Sequence, residues 1–510
     1  MPTMRDLEFV MPSLSKLLSL YFLALSALAA HGAASAQNLP PEIDAALARA
    51  RIPKDAISLY VIDANPSAAA PLLSHRANVP MNPASVMKLV TSVAALDLLG
   101  PAYTWQTQVL IDPAGKDGLA KDGSINDGVL NGNLVIKGGG DPKLVTERLW
   151  LLLNRVRSLG ISTINGDIVL DSSAFSVPPA SSASAAAFDG EPMRPYNASP
   201  DALLINYKSV VMTFTANAVA GVANIQYDPP LAGVLMPITT ALTSGDCGDY
   251  RSALRADFSD PKRFRFSGSY AKSCGERVWP IAYADPAAFA SLAVHRLWES
   301  MGGKLTGISR AGQASVQANQ LLTFSSPSLA EVIRDMNKYS NNVMAQQLFL
   351  TLSLNVANDK PATFEASRAV LASWWKARYG TGGTYGAAAG LDAPVVENGS
   401  GLSRTERITS NALARLLVDA YAAPCMPELI ASLPQVGVDG TLLRSKAVPG
   451  SAHLKTGSLS TVAARAGYVD SQKIAGKRYV LVAMVNSDNP AVIASARGLF
   501  DTLINWTAAR

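Results

Sequence analysis

The chain has 510 residues, 48% of them hydrophobic and 16% charged, enough apolar side chain to bury a large core and too much for a disordered tail. Lys and Arg number 44 against 39 Asp and Glu, and the resulting net charge of +5 is spread without a basic block, so no nucleic-acid footprint is present. Lys16 precedes the apolar run 17–25, and Ala34-Ser35-Ala36 follow, the pattern of a secretory signal over residues 1–36 cleaved after Ala36. Met11 is a candidate for the true start. The apolar run is shorter than the ~20 residues a spanning helix needs, and no cysteine lies near Ala36 to take a lipid. The expectation is a soluble protein exported to the periplasm, without a transmembrane anchor after cleavage.

Residues 43–50 read as a helix and 56–63 as a strand with β-branched character. Pro83 opens a second helix, in which Val86, Leu89, Val90, Val93 and Leu96 recur at helical spacing until Gly100-Pro101 stops it. Ser85 falls in its first turn. From Tyr103 the texture changes to short strands at 107–111, 132–136 and 167–170, interrupted by one helix at 146–159. The Ala/Ser stretch 180–187 reads as a surface loop, and 210–215 as another strand.

Helical periodicity returns at 287–301 and 329–336, and an apolar helix follows Ser340-Asn341-Asn342. The tail turns to strands at 454–457, 465–469 and 479–485 and closes with a helix at 491–506. Export makes disulfides possible. Cys247 and Cys274 share a stretch rich in Gly, Ser and charge, where a bridge contributes about 3 kcal/mol by loop closure. Cys425 lies beside an apolar helical segment and reads as a small buried hydrophobe.

Ser85-Val86-Met87-Lys88 places a hydroxyl and an amine at i and i+3 on one helix face, the spacing of a Ser-Lys nucleophile pair. Alone it is also an ordinary helix start with a solvated lysine. Ser340-Asn341-Asn342 on a loop and Lys455-Thr456-Gly457 on a strand complete an ordered set. The set matches the Ser-x-x-Lys, Ser-x-Asn and Lys-Thr-Gly signature of penicillin-binding proteins and serine β-lactamases. The interval from Ser85 to Ser340 is far longer than in simple β-lactamases. In that respect the chain resembles the class C penicillin-binding proteins, the D-alanyl-D-alanine carboxypeptidase/endopeptidase family. Gly138-Gly139-Gly140-Asp141-Pro142, Gly166 to Asp171 and Asn398 to Arg404 also look like that family, so the similarity covers nearly the whole mature chain.

The resemblance implies a mixed α/β fold: a β-lactamase/transpeptidase-like domain over residues 37–103 and 284–510, with a large β-rich insertion at 104–283. Its antiparallel sheet joins the N-terminal strand to the C-terminal strands and is covered by helices on both faces. Ser85 is implied to attack the peptide carbonyl, with Lys88 taking its proton. A neutral lysine at pH 7 requires moving its pKa from about 10.4, a cost of about 4 to 5 kcal/mol that burial and the nearby Lys455 can supply. Ser340 is implied as a proton relay, and Asn342 as an amide on the substrate backbone. Lys455 and Thr456 hold the terminal carboxylate, and the N–H groups of Ser85 and Ser458 form the oxyanion hole. A glycine at 457 admits the substrate strand close to the sheet edge. Leu402 and Arg404 are implied walls of the peptide side-chain pocket. Asp171 reads either as a ligand for a stem-peptide ammonium or as a turn cap.

The substrates implied are peptidoglycan stem peptides, with β-lactams as covalent inhibitors. A β-lactamase or a silent wall-binding scaffold are the rival readings. A Ser-His-Asp hydrolase is disfavoured, since His75, His295 and His453 are isolated and no Gly-x-Ser-x-Gly elbow occurs. The same isolation speaks against a zinc site. Gly138–Gly140 lacks the Gly-Lys-Ser/Thr of a phosphate cradle. No metal or cofactor is expected.

Overall fold

The computed structural model describes residues 39–510 apart from 66, 68–69, 114–120, 179–187, 357–359, 382 and 384–390. The signal segment expected at 1–36 and the loop at 180–187 lie outside the described residues. In chain order the first elements are α1 (Pro41–Ala50), β1 (Ile57–Asp63) and β2 (Leu73–His75). A 3₁₀ turn, Ala84–Met87, then leads into α2 (Lys88–Leu99).

The chain next builds a separate layered unit. It comprises β3 (Gln106–Asp112), β4 (Asn133–Lys137), α3 (Thr146–Ser158) and β5 (Ile168–Asp171). A second group follows: β6 (Ser209–Asn217), β7 (Val222–Asp228), β8 (Thr239–Thr243), β9 (Ser269–Ala271) and β10 (Glu276–Ala282). The unit continues through α4 (Phe289–Ser300), β11 (Ser309–Ala311) and β12 (Asn319–Ser325). One mixed sheet runs β11-β5-β4-β3-β12 and another β9-β8-β7-β6-β10. Cys247 and Cys274 are bridged within this unit.

Residues 284–325 therefore do not fall where the sequence reading puts them. Strand β12 pairs antiparallel with β3, and Phe289, Val294, Trp298 and Phe324 pack in one core with Val109, Leu134 and Ile168. The periodicity of α4 announces a helix but not which core it covers, and that is why the expected return at 284 is too early. The crossing point is marked by hydrogen bonds in both directions: Ser326 N–H donates to the Trp105 carbonyl, and Trp105 N–H to Ser326 Oγ, each at 2.9 Å.

After Ser326 come α5 (Leu329–Tyr339), α6 (Asn342–Leu354), α7 (Phe364–Tyr379) and α8 (Ser410–Ala422). The chain ends with β13 (Ala452–Leu459), β14 (Val462–Asp470), β15 (Arg478–Asn486) and α9 (Pro490–Ala508). These strands join β1 and β2 in one antiparallel sheet of order β13-β14-β15-β1-β2. Its central strands are apolar on both faces because both are covered. Val480, Val482 and Met484 point into the core with α2, α5, α6, α7 and α8, whereas Leu481, Ala483 and Val485 meet α1 and α9. Cys425 is half-buried against the first of these cores and is not disulfide-bonded. No helix among the described residues is long and apolar enough to cross a membrane.

Candidate active site

The site forms where the 3₁₀ turn, the α5–α6 junction, β13 and the loop 397–406 meet. Asn82 Oδ1 accepts from Ala84 N–H at 2.8 Å, and Ala84 takes a left-handed φ of 46°, an uncommon conformation for alanine. Two glycines allow neighbours to close on this turn. A Cβ on Gly401, whose φ is +80°, would lie 1.9 Å from the Ala84 carbonyl oxygen. A Cβ on Gly457 would lie 2.4 Å from the Pro83 carbonyl oxygen. The room at 457 is thus used by the protein itself, letting β13 approach the nucleophile turn, which corrects the expectation that it serves the substrate strand.

Lys88 is fully buried at the start of α2, directly beneath Ser85. Its Nζ lies 2.9 Å from Ser85 Oγ, 2.7 Å from Asn342 Oδ1 and 2.5 Å from the Ser400 carbonyl oxygen. Burial pushes the Lys88 amine down to about 7, against the pull of Glu406, whose negative charge favours the ammonium. A neutral amine has two N–H groups and one lone pair. With the two hydrogens on Asn342 and Ser400, the lone pair is left for the Ser85 hydroxyl.

Ser340 caps α5 with a left-handed φ of 58°, a conformation that costs energy in a non-glycine residue and turns its side chain toward β13. Lys455 Nζ donates to Ser340 Oγ at 2.9 Å and to the Thr456 carbonyl at 2.8 Å. Burial, then the charges of Lys88 and Arg465, hold the Lys455 amine well below the usual lysine range. Thr456 Oγ1 lies 2.9 Å from Thr441 Oγ1. Asn341 N-caps α6 by accepting from Met344 N–H. Asn342 holds Lys88 with its oxygen and donates Nδ2–H to the Tyr196 carbonyl at 3.1 Å. One of its two amide N–H groups is thus engaged inside the protein, while the side chain still borders the cavity that the expected substrate contact requires.

Above these groups is a cavity of about 540 Å³, lined by Ser85, Ser340, Asn342, Leu402, Arg404 and Ser458 among the residues the sequence singles out. Lys88, Lys455 and Thr456 lie buried below it. The inserted unit supplies another wall with Phe188, Asp189, Glu191 and Tyr196. Arg404 Nη2 donates to the Phe188 carbonyl at 2.7 Å, and its guanidinium sits over the Phe188 ring. Asp189 accepts from Tyr196 Oη at 2.9 Å, and Glu191 faces Arg194 Nε at 3.2 Å.

Asp171 is not among these walls. It is 1% exposed at the end of β5, where Oδ1 accepts from Ser173 N–H and Oδ2 from Ala314 N–H, so it clamps two backbone turns. That corrects its assignment as a substrate ligand. The acids facing the cavity are Asp189 and Glu191, placed just after the Ala/Ser stretch, where an acidic pair in Phe188-Asp189-Gly190-Glu191 was the available signal. Glu406 was also missed. Its only sequence signal is a carboxylate two positions beyond Ser403-Arg404, and its burial comes from tertiary packing.

Comparison with known proteins gives a consistent result. The family described as "D-Ala-D-Ala carboxypeptidase 3 (S13) family" matches residues 39–504. A D-alanyl-D-alanine carboxypeptidase of Actinomadura sp. (strain R39) is 26% identical over 471 residues, 88% of this chain and 81% of its own. The D-alanyl-D-alanine carboxypeptidase DacB of Haemophilus influenzae is 25% identical over 411 residues, 79% of this chain and 80% of its own. The crystal structure of penicillin binding protein 4 (dacB) from Haemophilus influenzae is similar in fold, with a TM-score of 0.66 at 23% identity, covering 91% of this chain and 99% of that one.

Proposed function

The chain belongs to the D-Ala-D-Ala carboxypeptidase 3 (S13) family, and from that premise we propose that it cleaves D-alanyl bonds of peptidoglycan stem peptides through an acyl-enzyme on Ser85. It is a serine-type D-Ala-D-Ala carboxypeptidase. The terminal D-Ala-D-Ala bond and the D-alanyl cross-link both present a D-Ala acyl donor, so endopeptidase action uses the same chemistry. The observation that carries the reading is the contact between Ser85 Oγ and a fully buried Lys88 whose amine is pushed down to about 7.

In the first half-reaction the Ser85 proton passes to Lys88 Nζ as Oγ bonds the carbonyl carbon and the carbonyl π pair moves to oxygen. The Ser85 and Ser458 N–H groups receive that oxygen. Collapse of the intermediate expels the amine, which takes the proton that Lys88 had accepted, relayed through Ser340 held by Lys455, so that Lys88 is neutral again and can take a proton from the attacking water. Lys455 and Thr456 offer N–H and hydroxyl donors for the terminal carboxylate. Water then hydrolyses the ester. Leu402 and Arg404 border the stem side chain, and Asp189 and Glu191 offer negative charge to a stem ammonium. β-Lactams fit as covalent inhibitors because they acylate the same serine, and the leader-like N-terminal sequence supports a reading in which the reaction takes place in the periplasm.

The test is product analysis with a pentapeptide stem ending in D-Ala-D-Ala and with a cross-linked muropeptide dimer. Release of free D-alanine from the first, or monomers from the second, is expected from the wild type and not from Ser85→Ala. No product from either would overturn the reading.

A further inference from the structure

Glu406 is a buried carboxylate to which the acyl-transfer chemistry gives no role. It is 0% exposed, an expensive place for a carboxylate. Oε1 accepts from the backbone N–H groups of Glu397 at 2.9 Å and Asn398 at 3.2 Å. Oε2 is buried without a hydrogen-bond partner among the described residues. The segment it holds is folded by its own side chains. Asn398 Oδ1 accepts from Ser400 N–H at 3.0 Å and Ser400 Oγ at 2.7 Å, and Asn398 Nδ2–H donates to the Leu402 carbonyl at 3.0 Å. Ser403 Oγ donates to Glu397 Oε2 and accepts from Glu406 N–H at 3.2 Å.

Two carbonyls of this loop grip α2. Gly399 O accepts from Thr91 Oγ1 at 2.7 Å, and Ser400 O accepts from Lys88 Nζ at 2.5 Å. Glu406 therefore stands behind the contact that aims the Lys88 amine. We propose that Glu406 is a positioning residue for Lys88: its carboxylate anchors the loop whose Ser400 carbonyl holds the amine, and its negative charge balances the ammonium formed when Lys88 takes the serine proton.

This rests on Ser85 and Lys88 being the acylating pair. In that step Lys88 goes from neutral to positive, and a fixed negative charge nearby in a dry site is worth more than in water. The other charged groups that face the pair are few. Lys455 on β13 is held down by burial and then by the charges of Lys88 and Arg465. Glu397 in the loop is a like charge to Glu406, and Arg407 donates Nη1–H to the carbonyls of Arg404 and Glu406. Burial, with Glu397 adding to it, pushes Glu406 up to about 7, while the two N–H groups and Lys88 draw it down. Glu406 and Lys88 thus change protonation in the same pH range, so each reports on the other.

The experiment is the pH dependence of acylation by benzylpenicillin from pH 5 to 9, comparing wild type with Glu406→Gln and Glu406→Asp. Glutamine retains an oxygen for the Glu397 and Asn398 N–H groups but removes the charge, so the Lys88 pKa should fall. The acid limb is expected to move to lower pH by about one unit, with a plateau about tenfold lower from a weaker base. Glu406→Asp keeps the charge and is expected to keep the wild-type limb. A lower plateau with an unmoved limb in Glu406→Gln would mean a merely structural role and overturn the proposal. No acylation of the wild type at any pH would instead remove the acylating pair itself.

Should neither variant fold, glutamate δ-carbon labelling of the wild type and of Lys88→Met decides by NMR. One glutamate titrating near 7, and higher once the lysine charge is gone, is expected. All glutamates titrating near 4.3, or none responding to Lys88→Met, would contradict the proposal.

Discussion

Three buried aspartates of the inserted unit and the buried charges around Ser85 are treated differently. In the inserted unit Asp112, Asp167 and Asp171 lie at or below 4% exposure, and each is met by backbone N–H donors or a cation. Asp112 accepts from Ser315 N–H and Oγ, Asp167 from Ile308 N–H and Arg310, and Asp171 from Ser173 and Ala314 N–H. These carboxylates act as clamps that pin loops to β3 and β5. Around Ser85 the buried groups are two lysines and Glu406, none of which joins a salt bridge among the described residues, and burial moves their protonation toward neutrality. Satisfied buried charge builds structure, whereas incompletely compensated buried charge is available for proton transfer.

Substitutions on the two sides should separate accordingly. The largest effect is expected at Lys88→Ala, which removes the base and should slow acylation by about 10²- to 10⁴-fold, read by stopped-flow or quenched-flow trapping. Gly401→Ala forces a Cβ onto the Ala84 carbonyl oxygen in a backbone region that alanine resists, and it should displace Ser85. A loss of about 10²-fold in acylation, together with a lower Tm, is expected; an unchanged rate would show that the loop can yield.

The wild-type pH profile should show the same division. Below about 7 Lys88 carries a proton and cannot accept another, so the acylation rate should rise roughly tenfold per pH unit up to that point and then level. A flat profile between pH 5 and 9 would count against Lys88 as the base. The smallest catalytic effect should come from the clamp. Asp171→Ala leaves two backbone N–H groups without their acceptor and should cost about 1 to 3 kcal/mol of stability in thermal or urea unfolding, with penicillin acylation unaltered. A changed acylation rate there would erase the distinction between the two regions.

The parts of this arrangement legible in the sequence are the local ones. Hydroxyl and amine at Ser85 and Lys88 share a face through helix geometry alone, and 479–485 reads as a strand, whereas its cover by helices on both faces was what the family resemblance implied. The return from the insertion was misplaced because α4 shows the same helical period whichever core it packs on. Glu406 and the acidic wall at Asp189 and Glu191 were missed for a related reason. Their surroundings are made by chain brought from elsewhere: Lys88 against the loop 397–406, and the inserted unit against Arg404. Gly457 was recognised as a place for close approach, but only the fold shows that the approaching group is Pro83.

The central claim is that Ser85, activated by Lys88, forms the acyl-enzyme. An intact-mass time course of the mature protein with benzylpenicillin, run beside Ser85→Ala, tests it most directly. A long-lived covalent adduct on the wild type and none on the variant is the predicted result. An adduct that persists on Ser85→Ala, or no adduct on the wild type, would contradict the account, and rapid turnover with bulk hydrolysis of the drug would make the protein a β-lactamase.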